Sequence, residues 1–564
     1  MSDVTFVKDP PSEARFILWL NSRKLATDFT AVDTETTGLN PWQDTLRLVQ
    51  FGDARQAFVL EYPRYRELIL WGLSQTIAFV GQNTKFDAQF LANAGFPVDS
   101  LIDDTRIMGH LIDSGDSTSL KPMADRYLGA GHSESQSDLR AIMKENKWTF
   151  ATVPVDTFEY WYYAGMDTIL TAKLANELYP RVQRNYADLY DMEVDVWLAL
   201  QRAEQRGICI DREYCEQTYT DLEEQILAIE ARYPDVNLGS TAQLSALLSA
   251  EGVRVPMTAT GRPSLTKAVM DTIQHPIIAD VLNHRKLVKL ASTYFKAFLD
   301  LEVDGRIHTT INPLGARTGR MSSERPNLQN IPKRNEGSFV RRAFISGMDR
   351  VLVLIDYKQI EYRIFASYAG EPEMIRAFLE GKDMHAVTAE MALGHEPNDH
   401  ERLIAKNANF AELYMAGIAK FAATAGISEE EARRFKKAYH AEFTRVKPFT
   451  KAVIKYAQSN SLAVETKFGR NIPVDPDHLY AGVNYMIQGT AADVLKRAIV
   501  RIAGTEWDEY FVLPVHDELI FDVPRDRVDD AVRELPRLME DHETFDVPLT
   551  VDVTTAPRWG EEEA

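Results

Sequence analysis

The sequence predicts a multidomain α/β protein, and three observations carry that expectation. The first is size: 564 residues, 45% of them hydrophobic, are enough for about three or four domains with real cores. The second is order near the N-terminus, where strand patterns come before helical ones. The third is a return to strands after a long helical stretch, with acids set into apolar runs.

Residues 28–62 read as strands and turns in "FTAVDTETTGL", "LRLVQFG" and "QAFVLEY". Helical patterns follow in "KFDAQFLANAG", "DTRIMGHLIDSG", "SLKPMADRYLG" and "TFEYWYYAGMDTILTAKLANELYPRV". This layout predicts one α/β domain over residues 1–185. A mostly helical stretch is expected over 186–305, and from 306 onward strands and helices mix. There is no repeat and no Gly/Ser linker, and the tail "GEEEA" is expected to be a frayed end.

Composition narrows the class. No run of about 20 apolar residues appears, so no membrane span is expected. The N-terminus "MSDVTFVKDPPSEARF" lacks the basic start and apolar run of a secretory signal. Cys209 and Cys215 have no neighbouring His cluster. A disulfide framework or zinc site is therefore not expected, and a reducing cytoplasmic setting is. The net charge of -20, taken alone, argues against binding nucleic acid. A groove needs only local positive charge, however. Clusters occur in "HRKLVK" (284–289), "PKR" (332–334), "RR" (341–342), "RRFKK" (433–437) and "KR" (496–497). Each could equally be a solvated helix face.

Two sets of acids carry the chemistry. "AVDTETTGL" puts Asp33 and Glu35 on one face of a strand pattern. Two such carboxylates repel unless a proton or cation lies between them, and a hard divalent cation suits their oxygens. Asp87 follows Asn83 in "GQNTKFDAQFL", and Tyr163 and Asp167 in "YYAGMD" share a helical face. Together they make a plausible two-metal hydrolytic site, with the Tyr orienting an attacking water. A lone D-x-E could be surface polarity. In this order and spacing the set resembles the proofreading 3′–5′ exonuclease domain of the DEDD type with a tyrosine, over about residues 28 to 180.

The second set begins with Asp356, at the end of an apolar strand pattern in "VLVLIDYKQIEYRIFA". Another such pattern, "YFVLPVHDELIFDVP", carries His516, Asp517 and Glu518 at its centre. Burying these groups is expensive unless partners offset it, and shared metal ions would. Each acid could also be a turn residue or an ion-pair partner. Between the two segments, Arg402, Lys406, Phe410 and Tyr414 recur every four residues in "RLIAKNANFAELYMAG". They form one slowly turning helical stripe, two cations then two aromatics, which suits a nucleoside triphosphate. An amphipathic helix with a polar first half would give the same spacing.

Five ordered segments add to this: "GRIHTTINPLGARTGRMSSERPNLQNIP", "DYKQIEYR", "RLIAKNANF", "NYMIQGTAADVLKRA" and "VHDEL". With "ASTYFKAF" (291–298), they resemble the DNA polymerase I family (family A) over nearly the whole chain. The resemblance implies an RNase H-like 3′–5′ exonuclease domain (1–185) followed by a right-hand polymerase. In that hand, 186–305 would be the thumb and connecting helices, 306–365 the first part of the palm, 366–480 the fingers and 481–564 the second part of the palm.

It also implies roles. Asp356 and Asp517, with the backbone of Tyr357, would bind two Mg²⁺ ions, with Mn²⁺ as an alternative. Asp33, Glu35, Asp87 and Asp167 would do the same in the exonuclease site. Arg402 and Lys406 would meet phosphates, and Lys406 would be the general acid for pyrophosphate. Glu361 would reject a ribose 2′-hydroxyl, Phe410 would meet the nucleotide, and Tyr414 would stack at the template position. Gln359, His385, Arg320, Asn484 and Gln488 would contact nucleotide or duplex. His516 would touch the primer end. Glu518, turned away from Asp517 in a regular strand, would support.

The expected partners are primer-template DNA, dNTPs and a single-stranded 3′ end; a processivity or helicase partner stays open. Only about 27 residues precede the exonuclease pattern, so the family's 5′ nuclease domain is expected to be absent, which suits a bacteriophage replicase in its host's cytoplasm. Three departures stand out. Ala411 and Met415 replace two family glycines, Glu412 brings a charge beside them, and Tyr480 stands where an Arg is usual. Losing two glycines is expected to stiffen the helix by up to about 1 kcal/mol per site and alter template handling. The alternative within this reading is an exonuclease whose polymerase half is weak or specialised. A single-subunit RNA polymerase and a non-catalytic DNA-binding scaffold are also conceivable. Glu361 and the intact acids of both sites argue against them.

Overall fold

The computed structural model describes residues 3–333 and 335–561. Arg334 of the "PKR" cluster and residues 562–564 of the expected frayed tail lie outside the described residues.

The N-terminal part is built on a six-stranded mixed sheet. Its strands are β1 (Asp3–Phe6), β2 (Thr30–Thr36), β3 (Leu46–Gly52), β4 (Gln56–Glu61), β5 (Phe79–Gly81) and β6 (Leu101–Asp104). They lie in the order β1-β4-β3-β2-β5-β6. Six of the seven residues of β2 are buried, Glu35 among them, and the seventh, Asp33, is partly buried. β1 and the helix Pro10–Arg23 lie ahead of the strands expected from residue 28. A four-residue edge strand shows too little alternation to be read from sequence. The helix beside it has clearer signals, an Asp9 capping box and prolines in its first turn.

The helix Phe158–Asn185 packs across the sheet, and the helix Ala187–Arg206 carries the chain away from it. The stretch expected to be mostly helical contains one strand, Ile208–Ile210, which pairs with Arg306–Ile307 and Phe344–Ile345. Within "ASTYFKAF", Leu290–Lys296 winds as a π-helix, a form often found at functional sites. The C-terminal half centres on four antiparallel strands in the order Phe511–Val515, Glu518–Pro524, Arg350–Tyr357, Val551–Ala556.

Two buried ionic nodes on the helix Ala187–Arg206 tie the halves together. Glu204 accepts from Lys85 Nζ at 2.5 Å, Gln89 Nε2 at 2.7 Å and the backbone N–H of Ile311 at 2.5 Å. Glu193 accepts from Lys496 Nζ at 2.6 and 2.8 Å and from Arg470, whose Nε donates to Asp493 at 2.8 Å. Removing one member of such a set strands the others as buried charges. Both cysteines are free thiols. Among the described residues, no helix is long and apolar enough to cross a membrane.

Candidate active sites

The first site forms where β2, the helix Thr84–Asn93 and the helix Phe158–Asn185 meet. They bring Asp33 and Glu35, Asp87, and Tyr163 with Asp167. Gln50, opposite Asp33 on β3, donates Nε2 to Asp33 Oδ2 at 2.8 Å. Thr34 Oγ1 donates to Asp87 Oδ1 at 2.6 Å. The start of the Asp87 helix is clamped. Asn83 takes a left-handed backbone, φ 67°, and Asp104 accepts the N–H groups of Asn83 and Thr84 at 3.1 and 2.9 Å.

Burial, then the charge of Asp167, pushes Asp33 up to about 7. Burial, then Asp33, lifts Glu35 and Asp87 well above the ordinary carboxylate range. Burial also raises the Tyr163 hydroxyl, which keeps it protonated as a donor. Buried, crowded oxygens with surplus negative charge fit hard divalent cations. Lys121, which no motif singles out, ion-pairs with Asp167 and lies 5.3 Å from the centre of the Tyr163 ring. It sits in the first turn of the helix Leu120–Leu128 and is buried there. Nothing local marks Lys121 in "SLKPMADRYLG"; its partner lies 46 positions away.

The second site corrects the expectation of a strand running through His516, Asp517 and Glu518. Phe511–Val515 and Glu518–Pro524 are two antiparallel strands, closed by the pair Val515–Glu518, and His516 and Asp517 form the turn between them. The turn takes the polar groups out of the apolar interior. A two-residue hairpin favours positive φ at its first residue, and His516 has φ 59°. Glu518 therefore does not merely point away. It stands directly opposite Asp356 across the ladder, where paired residues share a face. The Tyr357 N–H donates to the Asp517 carbonyl at 3.2 Å, tying the turn to the Asp356 strand. The Tyr357 hydroxyl is engaged elsewhere, donating to the Met539 carbonyl at 2.5 Å.

Asp356 Oδ1 is buried and accepts no hydrogen bond, while Lys333 Nζ lies 3.0 Å from Oδ2 and 3.9 Å from Glu518 Oε2. Burial, then Asp356, raises Asp517 to about 7. A bare carboxylate oxygen beside a second crowded carboxyl again fits a cation. Lys333 was legible only as part of a positive cluster. Among the described residues, no three His, Cys, Asp or Glu side chains close into a ready cation cage, and in both sites a lysine amine stands against the acids.

Beside this site, one cavity gathers Arg320, Gln359, Glu361, His385, Phe410, Tyr414, His516 and Asp517. Arg320 ion-pairs with Glu361, and the Tyr414 hydroxyl donates to Glu361 at 3.4 Å. His385 is held near 4 by burial, and its Nδ1 lies 2.9 Å from Asn409 Nδ2. Gln359, like His516, has a left-handed backbone, φ 50°; such residues concentrate where a site over-determines the chain. Arg402, Lys406, Asn484 and Gln488 do not line the cavity. Arg402 Nε donates to Asp383 at 2.7 Å, and Lys406 Nζ is 6.0 Å from the Phe410 ring centre. Asn484 and Gln488 lie on the helix Ala481–Ala503, which reaches the cavity through Ala491, Ala492, Leu495 and Lys496.

The fingers helix departs from its expected form. It spans Asp399–Leu413 with Tyr414 as its C-cap, and Tyr414 keeps its place in the stripe: its N–H donates to the Phe410 carbonyl at 2.8 Å and its ring stacks on Phe410 at 6.2 Å. Met415 follows with φ 53°, its N–H donating to the Glu412 carbonyl at 3.1 Å, and Ala416 N–H donates to the Ala411 carbonyl at 2.7 Å. This is a Schellman turn with Met415 at the position that favours glycine. Met415 therefore cannot stiffen the helix; only Ala411 lies within it. Glu412 is buried, 2.9 Å from Lys436 and 3.2 Å from His440. These contacts hold it below the usual carboxylate range despite burial. Its charge is absorbed inside the fingers.

Comparison with known proteins gives the same division. The family model for DNA polymerase family A matches residues 211–561, and that for a 3′-5′ exonuclease matches residues 9–183. The chain is 32% identical over 540 residues to the DNA polymerase of Mycobacterium phage L5, covering 91% of this chain and 89% of that one. It is 32% identical over 529 residues to DNA polymerase I of Synechocystis sp., covering 85% of this chain and 53% of that longer one. Among solved structures it is similar to the POL domain of Pol1 from M. smegmatis in complex with DNA primer-template and dNTP. The TM-score is 0.82 at 26% identity, with 98% of this chain and 99% of that one covered. Two crowded carboxylate centres, an exonuclease match ahead of a polymerase match, and likeness along nearly the whole chain agree: the chain belongs to DNA polymerase family A, a template-directed DNA polymerase of replication that carries a 3′–5′ exonuclease domain.

Proposed function

We propose that the two sites divide synthesis and proofreading residue by residue. Asp356 and Asp517, with the Tyr357 backbone, hold two Mg²⁺ ions in the polymerase site; Asp33, Glu35, Asp87 and Asp167 hold two in the exonuclease site, and Mn²⁺ can substitute. When bound, the ions activate the primer 3′-hydroxyl or a water and neutralise charge on the phosphoryl group. Tyr163 orients the water. Arg402 and Lys406 bind the triphosphate, Arg402 exchanging Asp383 for phosphate, and Lys406 gives a proton to leaving pyrophosphate. Phe410 packs on the nucleotide. Glu361, braced by Arg320, leaves no room for a ribose 2′-hydroxyl. Tyr414 holds the template position. Gln359, His385, Asn484 and Gln488 contact nucleotide or duplex, His516 meets the primer end, and Glu518 supports Asp356.

What supports this reading most is the cavity, where eight residues from separate sequence motifs meet beside Asp356. The substrates are primer-template DNA and dNTPs, as in the M. smegmatis complex, and a single-stranded 3′ end for the exonuclease. Likeness to the phage L5 polymerase over most of both chains supports replication of a bacteriophage genome in a bacterial cytoplasm. The division into exonuclease (1–185), thumb (186–305), palm (306–365 and 481–564) and fingers (366–480) belongs to the same reading. The alternative is a weakened or specialised polymerase half; against it stands that Ala411, Glu412 and Met415, which suggest it, do not line the cavity.

The test uses a 5′-labelled primer on a longer template with Mg²⁺. Extension with dNTPs and 3′ shortening without them are expected. Shortening in both lanes would overturn the polymerase assignment.

A further inference from the structure

The exonuclease centre contains a cation of its own. Lys121 is 7% exposed, ion-paired with Asp167, and close enough to act on Asp33 and Glu35 as well. Its helix is held down by Met123, which is fully buried and packs where Gly109 leaves room. The Lys121 side chain is 9% exposed, against 52% for Lys333 in the palm. A buried lysine opposite one of four clustered acids sits where a divalent ion would draw its own ligands.

We propose that Lys121 is a positioning residue of the exonuclease site that shares Asp167 with the metal and so weakens metal binding there relative to the palm. The consequence is regulatory for the known reaction. Proofreading would demand more divalent ion than synthesis does, and the balance between them would shift toward excision as the metal concentration rises. A purely structural lysine would satisfy Asp167 without setting metal affinity.

The inference rests on the reading of Asp33, Glu35, Asp87 and Asp167 as the exonuclease metal site, so the experiment separates the two. Mn²⁺ is titrated by electron paramagnetic resonance into the full chain carrying Asp356→Asn and Asp517→Asn, which silences the palm. Adding Lys121→Met to this background is expected to tighten exonuclease-site binding by about tenfold or more, since a unit charge a few ångströms away is removed. Lys121→Arg, which keeps the charge, is expected to stay within about twofold of the background. With the palm acids restored, half-saturating Mg²⁺ for excision should fall in Lys121→Met. Unchanged or weaker Mn²⁺ binding in Lys121→Met overturns the inference, as does equal tightening in Lys121→Arg. Thermal unfolding checks the fold. If Lys121→Met melts early, Lys121→Gln, neutral and still able to donate to Asp167, is measured in its place against the same expectation. If Asp33→Ala with Glu35→Ala removes no bound Mn²⁺ from the background, the site reading itself fails.

Discussion

The two carboxylate centres meet the same electrostatic problem in opposite settings. In the exonuclease site the acids come from one central strand and two covering helices; Glu35, Asp87, Asp167 and Lys121 are buried and Asp33 is partly so. In the palm, Asp517 stands on a hairpin turn, Asp356 ends a strand, and Lys333 is half in solvent. On the proposed reading the buried centre takes only a frayed single strand. On the proposed reading the open one admits a duplex and a nucleotide, and its counter-charge is a half-exposed side chain. Crowding alone does not separate them: Asp33 and Asp517 are each pushed to about 7. What differs is how exposed the compensating lysine is.

The largest expected effects test whether the centres are independent. Asp33→Ala should cut excision by about 10³-fold or more and leave extension intact, and Asp356→Ala should do the reverse, since metal stabilisation supplies several kcal/mol. Single-turnover shortening and extension measure both. Loss of both activities in either variant would mean one centre, not two. Glu204→Ala should break that independence another way. It leaves Lys85, near Asp87, without its carboxylate and releases Ile311, so denaturant unfolding should show a loss of about 3–5 kcal/mol, with both activities impaired.

A smaller effect sharpens the contrast in burial. Asp33 titrates near 7 in the folded chain against 3.8 as an isolated carboxyl. Between these values the folded chain holds a proton that the unfolded chain has lost, so stability falls as pH rises from about 4 to 7 and is unaffected by this group below that window. In EDTA, melting of the exonuclease half should follow this trend, with at most about 1.4 kcal/mol per pH unit for the one proton. Asp33→Asn should make it shallower without abolishing it, because Glu35 and Asp87 are raised too; a melting temperature that rises through the window would contradict it. The smallest effect concerns the fingers. Ala411→Gly should cost about 1 kcal/mol in the helix. Met415→Gly should cost less, because relief of a left-handed methionine offsets the lost packing. Equal costs in urea unfolding would refute the turn assignment.

Much of both acid clusters was legible because their members occur as short patterns on single elements. Asp33 with Glu35, Tyr163 with Asp167, and Asp517 with Glu518 each lie within one turn or strand of each other. The stripe from Arg402 to Phe410 was legible for the same reason. What failed was the helix end, which depends on the residues just beyond it: Tyr414 still stacks on Phe410, but Met415 adopted a glycine's conformation. The strand expected through Asp517 failed likewise. Apolar residues on both sides gave no sign that the charged pair would turn the chain.

The sequence by itself determined the kind of chemistry, the number of centres and the order of the domains, because these depend on residue types at short, regular spacing. Tertiary structure alone decided which charges answer those acids. Lys121 meets Asp167 across 46 positions, Lys333 meets Asp356 across 23, and Glu193 meets Lys496 across 303. Coulombic partners are chosen by distance in space and by burial, and neither is written in local periodicity.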